Sequence, residues 1–293
     1  MSSHFLERLT ESVLLVDGAM GTQLQVHGLP VGEPGETFNL SHPEIVMQIH
    51  REYVQAGADI ILTNTFGGNR LKLDANHLAD KLAEINRIAV ELACEAAQDQ
   101  ALVAASIGPT GQFLAPLGSI SRAQMIDVFT EQIRVMVENG IDLVCIETMT
   151  DPYEAECAIL AAKEVTDLPI IASMTYEHGK SGYRTLMGND VANCVQILSD
   201  AGADVLATNC GYGINPIIEI IAEMRQATDK PLMAEPNAGL PELVNGQTIY
   251  NETAQMMAAR LPQLLDAGVR VVGGCCGTSP KYIKAFRQVI DSR

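Results

Sequence analysis

The chain has 293 residues, 47% of them hydrophobic, enough apolar content for one large core or two small ones. Its formal net charge of −17 argues against nucleic-acid and anionic-membrane partners, which need basic patches, and no apolar run approaches the roughly 18–20 residues of a membrane span. Seven cysteines in no regular framework, behind the polar start "MSSHFLERLTES", point to free thiols or metal ligands in the cytoplasm rather than to disulfides.

In chain order, runs of apolar and β-branched residues predict eight strands, near residues 13–17, 59–63, 102–107, 142–147, 169–175, 204–209, 231–235 and 270–274. One phrase introduces four of them: "QAGADIILTN", "ENGIDLVCIE", "DAGADVLATN" and "DAGVRVVGGC". In each a glycine (Gly57, Gly140, Gly202, Gly268) takes the left-handed position that ends a helix, a charged residue stands close behind, and a strand begins. "VTDLPIIASMTY" and "ATDKPLMAEPNA" introduce two more strands through a proline. Between strands, helical stripes run through Leu78, Leu82, Ile85, Ile88 and Leu92; through Ile126, Phe129, Ile133, Met136 and Val137; and through Ile217, Ile218, Ile221 and Met224.

Eight strand–helix units predict an α/β fold, a single (β/α)8 TIM barrel occupying residues 1–293 as one domain. A doubly wound open sheet is the alternative, and it usually shows a clearer glycine-rich first turn. Helix-to-strand links are short, whereas the strand-to-helix links 18–41, 108–121, 176–189 and 236–251 are long. In a barrel those long links form the C-terminal face, where active sites sit.

The strand ends gather polar residues: Asp17, Asn64, Thr65, Ser106, Glu147, Thr148, Thr175, Asn209, Glu235 and Asn237. Each alone reads equally well as turn chemistry. Cys94, Cys157 and Cys194 lie in helical patterns and Cys145 lies mid-strand, so these read as small buried hydrophobes. Cys210 instead ends the sixth strand, and Cys275 and Cys276 end the eighth, inside "VVGGCCGTSP". Both strands flank the seventh, so their tips converge over the barrel mouth, and three thiols together suit a soft tetrahedral metal, above all Zn2+. Adjacent side chains of a regular strand point to opposite faces, and the surrounding glycines let the strand end break its pleat and turn both sulfurs inward. A strained vicinal disulfide, a packed cysteine pair and a glycine-rich phosphate loop are the competing readings. Three thiolates leave the fourth zinc position open and give the centre a net charge of −1, which suits a substrate thiol better than water. A free thiol is only about 3% ionised at pH 7, so the implied chemistry is alkyl transfer to a thiol.

The phrases "DGAMGT" (17–22), "LTNTF" (62–66), "IGPTG" (107–111), "IETMTD" (146–151), "TNCG" (208–211), "EPNAGLPE" (235–242) and "GGCCGTSP" (273–280) resemble the homocysteine S-methyltransferase family nearly end to end. They are most similar to the homocysteine-binding module of cobalamin-dependent methionine synthase. The resemblance implies a zinc-bearing barrel with Cys210, Cys275 and Cys276 as zinc ligands and catalytic centre. It implies Asp17 and Glu147 beside the homocysteine amino group, and main-chain N–H groups around Ser106–Gly108 for the carboxylate. Asn237 is the candidate for the open zinc position when no thiol is bound. Nothing in the chain looks like a folate site or a cobalamin-binding histidine motif, so methylcobalamin is expected on a separate corrinoid protein.

The expected activity is zinc-dependent methyl transfer to homocysteine, forming methionine. The alternative donors are small methyl-sulfonium or quaternary-ammonium compounds such as S-methylmethionine or betaine. Such a cation is often held by an aromatic cage, and the chain has no tryptophan, although Tyr176, Tyr183, Tyr212 and Phe66 are available for part of one. Two rivals of other kinds are a non-catalytic zinc or corrinoid-protein binding module and a Schiff-base aldolase. The first needs no ammonium-binding carboxylates, and the second lacks a lysine at any predicted strand end.

Overall fold

The computed structural model describes residues 2–244 and 247–293. Its strands are β1 (Leu14–Leu15), β2 (Ile60–Leu62), β3 (Leu102–Ile107), β4 (Leu143–Met149), β5 (Ile170–Met174), β6 (Glu177–Gly179), β7 (Gly182–Arg184), β8 (Val205–Asn209), β9 (Leu232–Glu235), β10 (Pro241–Val244), β11 (Gln247–Tyr250) and β12 (Val269–Val272). Eight form one parallel sheet in the order β1-β12-β9-β8-β5-β4-β3-β2. A parallel bridge between Val16 and Ile60 joins the two outer strands, so the sheet closes into the expected (β/α)8 barrel. All eight predicted strands are present. Two long strand-to-helix links fold into antiparallel hairpins, β6–β7 and β10–β11; residues 245–246 of the 236–251 link lie outside the described residues.

The period of two along each strand decides what the barrel contains. Leu14, Val16, Ile60, Ala104, Leu143, Cys145, Ile171, Val205, Ala207, Met233 and Val271 form one apolar cluster, which is the interior. Phe5 and Leu9, from the helix Ser2–Glu11, belong to the same cluster and are each 2% exposed, so this helix plugs the end of the barrel opposite the long links. The sequence stripes do not extend to this helix. Continuing the same alternation upward puts Ser106, Glu147, Ser173, Asn209 and Glu235 on the inward face, as the polar layer above that core.

The alternate residues face the helices. Here the predicted stripes are rotated. In the helix Leu82–Ala97 the buried side is Ile85, Ala89, Val90, Ala93, Ala96 and Ala97, while Ile88 and Leu92 are only partly covered. Small residues let the helix backbone approach the sheet closely, and the larger residues fill the flank. The other two stripes shift likewise, with Met125 and Gln132 buried in Arg122–Glu138, and Ile220 in Ile214–Ala227.

The repeated phrase has a structural purpose. Asp59, Asp142 and Asp204 each stand just before a strand, and each carboxylate accepts the N–H of the preceding neighbour strand: Leu15 (2.9 Å), Val103 (2.8 Å) and Ile170 (2.9 Å). These acids stitch the barrel strands in pairs at the lower rim. Asp59 also binds Arg8 and Arg287, both at 3.0 Å, tying the first and last helices to it. The fourth copy carries Arg270 instead, where the pairing of β12 with β9 slips by one residue. Asp142→Ala or Asp204→Ala leaves a strand N–H without its acceptor. Each is expected to cost about 1–2 kcal/mol, lowering the melting temperature by roughly 2–6 °C without changing ligand binding at the far rim. Thermal melts and ligand titrations of the two variants check this.

Candidate functional site

The polar layer opens into a cavity of ≈ 490 Å³ lined by the ends of β1, β2, β3, β4, β8, β9 and β12 and the loops that follow them. Its walls hold Asp17, Ser106, Glu147, Glu235, Cys210, Cys275 and Cys276. Of the residues singled out by sequence, Gly108, Thr175, Asn209 and Asn237 are not on this wall.

The Sγ atoms of Cys210, Cys275 and Cys276 all lie within 4.8 Å of one another, with Cys210–Cys276 and Cys275–Cys276 at 4.0 Å. Sulfurs sharing a tetrahedral Zn2+ at about 2.3 Å would be about 3.8 Å apart, so the donor set, its softness and its spacing fit that ion. The cluster holds its protons cooperatively. S–H donation from Cys275 and then Cys276 lowers the Cys210 pKa, and the hydrogen bond to Cys210 in turn raises those of Cys275 and Cys276. Three thiolates this close would repel one another, and a cation among them would remove that repulsion.

The pleat is broken differently from the sequence expectation. Cys210 itself takes the left-handed conformation, with φ 61°, and this turns its sulfur toward the eighth barrel strand. In "GGCCG" only Gly277 has positive φ, at 81°. Gly273 and Gly274 serve close packing: a Cβ on Gly273 would lie 2.8 Å from the Asp17 carbonyl, and one on Gly274 would lie 2.6 Å from Thr278 Oγ1. Their N–H groups bond the Ala234 and Asp17 carbonyls, both at 3.1 Å. Thr278, fully buried, joins the two loops. Its Oγ1 accepts from Ala19 N at 3.2 Å and donates to the Cys275 carbonyl at 2.8 Å. Tyr53 fixes the same turn by donating to the Ala19 carbonyl at 2.9 Å.

Three carboxylates face the thiols. Asp17, Glu147 and Glu235 are 2%, 9% and 1% exposed. Leu62 N donates to Asp17 Oδ2 at 2.9 Å and Ser106 Oγ to Glu147 Oε1 at 2.5 Å, while Asp17 Oδ1 and Glu235 Oε2 are buried without partners. Burial pushes the Glu147 carboxyl up to about 7, and lifts Asp17 and Glu235 well above the usual carboxylate range, with Glu147 adding to both by repulsion. Glu235 carries no role in the sequence reading, since nothing local separates it from a turn acid; only the barrel's closure brings it beside Asp17 and Glu147.

Asn209 binds this layer together. Its Oδ1 accepts from Thr148 N (2.9 Å) and Ser173 Oγ (2.7 Å), and its Nδ2 donates to Thr148 Oγ1 (2.7 Å) and toward Cys275 Sγ (3.8 Å). Thr148 has φ 58°, an uncommon conformation for a β-branched residue, and Asn209 clamps it from two sides directly after Glu147. Asn237 lies against the Cys210 sulfur, and its Oδ1 is buried without a partner. Tyr250, from β11, packs its ring over Gly277 beside Cys276.

Two expectations change. The N–H of Ser106 donates to Thr63 Oγ1 (3.1 Å) and that of Gly108 to the Phe66 carbonyl (3.0 Å), so both are spent inside the protein. Of the four aromatic residues considered for a cage, only Phe66 lines the cavity. Tyr183 and Tyr212 stack edge-on at 6.3 Å, with Tyr183 bonded to Glu219, and Tyr176 is buried against Cys194. Among the other cysteines, Cys145, Cys157 and Cys194 are buried and Cys94 half-buried, apart from the cluster.

The site is thus a thiol and carboxylate pocket at the C-terminal mouth of a (β/α)8 barrel. The sequence profile described as homocysteine S-methyltransferase matches residues 14–290, and the chain belongs to that family. It is 30% identical over 300 residues to the methionine synthase of Mycobacterium tuberculosis and 30% identical over 297 residues to that of Mycobacterium leprae, in each case across 95% of this chain. The chain spans about a quarter of the length of these relatives, 25% and 24%. Its fold superposes on the metallated form of the homocysteine methyltransferase MmuM from Escherichia coli with a TM-score of 0.80. That match covers 94% of this chain and 96% of that one, at 24% identity. No helix among the described residues is long and apolar enough to cross a membrane.

Thr278→Val keeps the shape of the residue but orphans Ala19 N and the Cys275 carbonyl, whereas Thr278→Ser keeps both bonds. The valine variant is expected to lose about 1–3 kcal/mol of stability and the serine variant clearly less, as read from denaturant unfolding.

Proposed function

We propose that the chain is a zinc-dependent methyltransferase that methylates the sulfur of homocysteine to give methionine. The observation that carries this reading is the meeting, in one cavity, of three sulfurs within 4.8 Å and three buried carboxylates. Soft donors on one side and buried anions on the other match a ligand with a thiol at one end and an ammonium at the other. Residues 1–293 act as one domain in this reading.

Cys210, Cys275 and Cys276 hold the zinc, which supplies a soft Lewis acid at which a thiol loses its proton at neutral pH. Asp17, through its unpartnered Oδ1, and Glu147 accept hydrogen bonds from the substrate ammonium. Ser106 and the Leu62 N–H keep these carboxylates aimed. Asn209, by clamping Thr148, holds Glu147 at the height of the thiols. During transfer the S–H proton goes to solvent and a sulfur–methyl bond forms. The donor's bond to the methyl breaks, leaving its electron pair on the donor.

The donor is methylcobalamin on a corrinoid protein outside these residues. Support comes from the resemblance to methionine synthases and from the cavity wall, where Phe66 alone of the candidate aromatics stands, too little to cage a small cation. A small sulfonium or ammonium donor is the competing reading. Incubation of the zinc-loaded protein with homocysteine and, separately, methylcobalamin, S-methylmethionine, betaine and S-adenosylmethionine decides between them by methionine formation. Methionine from none of these donors would sink the reading.

Metal analysis is expected to find one zinc per chain, nearly all of it lost in Cys276→Ala and retained in Cys94→Ala and Cys157→Ala. Full retention in Cys210→Ala, Cys275→Ala and Cys276→Ala alike would dismiss the metal site. Glu147→Gln and Asp17→Asn should weaken homocysteine about 10- to 150-fold, the worth of a charge-assisted hydrogen bond of roughly 1.5–3 kcal/mol, and leave zinc content unchanged. Calorimetric titration beside metal analysis reads both quantities on the same samples.

A further inference from the structure

In the proposed function the acids of the cavity take the ammonium of an amino acid, and its carboxylate calls for a partner of opposite character. Among the charged residues on its wall, Asp17, Glu33, Glu36, Glu147 and Glu235 are acidic, and Lys72 is the single base. A carboxylate entering beside three buried acids is repelled from all of them. The main-chain donors expected at Ser106 and Gly108 are already used.

Lys72 is placed and free to receive it. It stands half-buried in the short helix Arg70–Asp74 that follows β2, its N–H bonded to Asn69 Oδ1 at 3.0 Å. Its ammonium packs over the loop after β3, where a Cβ on Gly111 would lie 3.1 Å from Nζ. No ion pair among the described residues involves Lys72. The two acids whose charges feel it most, Glu36 and Glu154, are bound by other donors. Glu36 accepts from Gly67 N, and Glu154 Oε1 accepts from Thr110 N at 2.7 Å and Thr110 Oγ1 at 2.6 Å.

We infer that Lys72 is the carboxylate receptor of this cavity, so that an amino-acid ligand is read as a zwitterion, ammonium on Asp17 and Glu147 and carboxylate on Lys72. This rests on the proposed function, and it names a specificity residue to which the sequence analysis gave no role. The carboxylate belongs to the thiol acceptor, or to a small amino-acid donor entering the same cavity; the chemistry at Lys72 is the same.

The test uses zinc-loaded wild type, Lys72→Met and Lys72→Arg, titrated calorimetrically with homocysteine, with its decarboxylated analogue 3-aminopropane-1-thiol, and with S-methylmethionine. Lys72→Met is expected to weaken homocysteine about tenfold, to leave the decarboxylated thiol unchanged, and to be partly rescued by Lys72→Arg. Loss confined to S-methylmethionine keeps Lys72 as the carboxylate receptor and assigns the carboxylate to the donor. Unchanged affinity for all three ligands, or equal loss for the two thiols, overturns the inference while leaving the proposed function standing. Wild-type protein that binds neither thiol overturns the functional reading, and the Lys72 assignment with it.

Discussion

Three carboxylates and three thiols share one buried mouth, and as anions they repel one another at close range in a place that water barely reaches. The wall offers them a single base, Lys72, against five acids. Burial raises the carboxyls of Asp17, Glu147 and Glu235 above the usual carboxylate range, and the three cysteines lie within hydrogen-bonding reach of one another. In the proposed function two kinds of cation relieve the repulsion from outside, a soft metal at the sulfurs and an ammonium at the oxygens. Most of the surrounding structure is support for that arrangement. Asn209 makes four contacts across β4, β5 and the eighth barrel strand, and Thr278 bridges the Asp17 turn to the cysteine loop.

The backbone contributes strain to the same end. Thr148 and Cys210 have φ of 58° and 61°, each an arrangement that costs about 1–3 kcal/mol for a residue with a side chain. Each stands at the top of a barrel strand, one next to Glu147 and the other carrying a sulfur. Strand ends that simply continued their pleat would send the next side chain outward to the helices. The left-handed residue turns it back over the mouth, and neighbouring hydrogen bonds keep it there.

Much of this was legible in the sequence because it depends on period and punctuation. Runs of apolar and β-branched residues located all eight barrel strands, and the repeated glycine phrase marked the helix ends. The cysteine pair was legible because adjacent thiols in a glycine-rich strand end have few other uses. Side-chain reach and helix rotation were not. The stripe of Ile88 and Leu92 is the more hydrophobic one, yet the helix turns Ala89, Ala93 and Ala97 to the sheet because they permit closer approach. Glu235 reads in the sequence as one strand-end polar residue among ten and Lys72 carries no local signal, and only the closed barrel puts them on one wall. The helix bearing Phe5 and Leu9 was missed because its apolar residues are few, and its value lies wholly in the barrel end that it fills.

The aspartate stitches at the lower rim have a consequence for how this chain can change. Asp59, Asp142 and Asp204 secure the strands at one end, while the anions crowd the other, and the filled interior separates the two. Sites with no shared partners and a packed core between them contribute additively to free energy. A substitution at the mouth that costs stability can therefore be compensated at the opposite rim without disturbing recognition, for instance at the fourth phrase, where Arg270 stands in the place of an acid. The barrel keeps its tolerance for mutation and its chemistry at separate ends, so its specificity is free to drift while its fold holds.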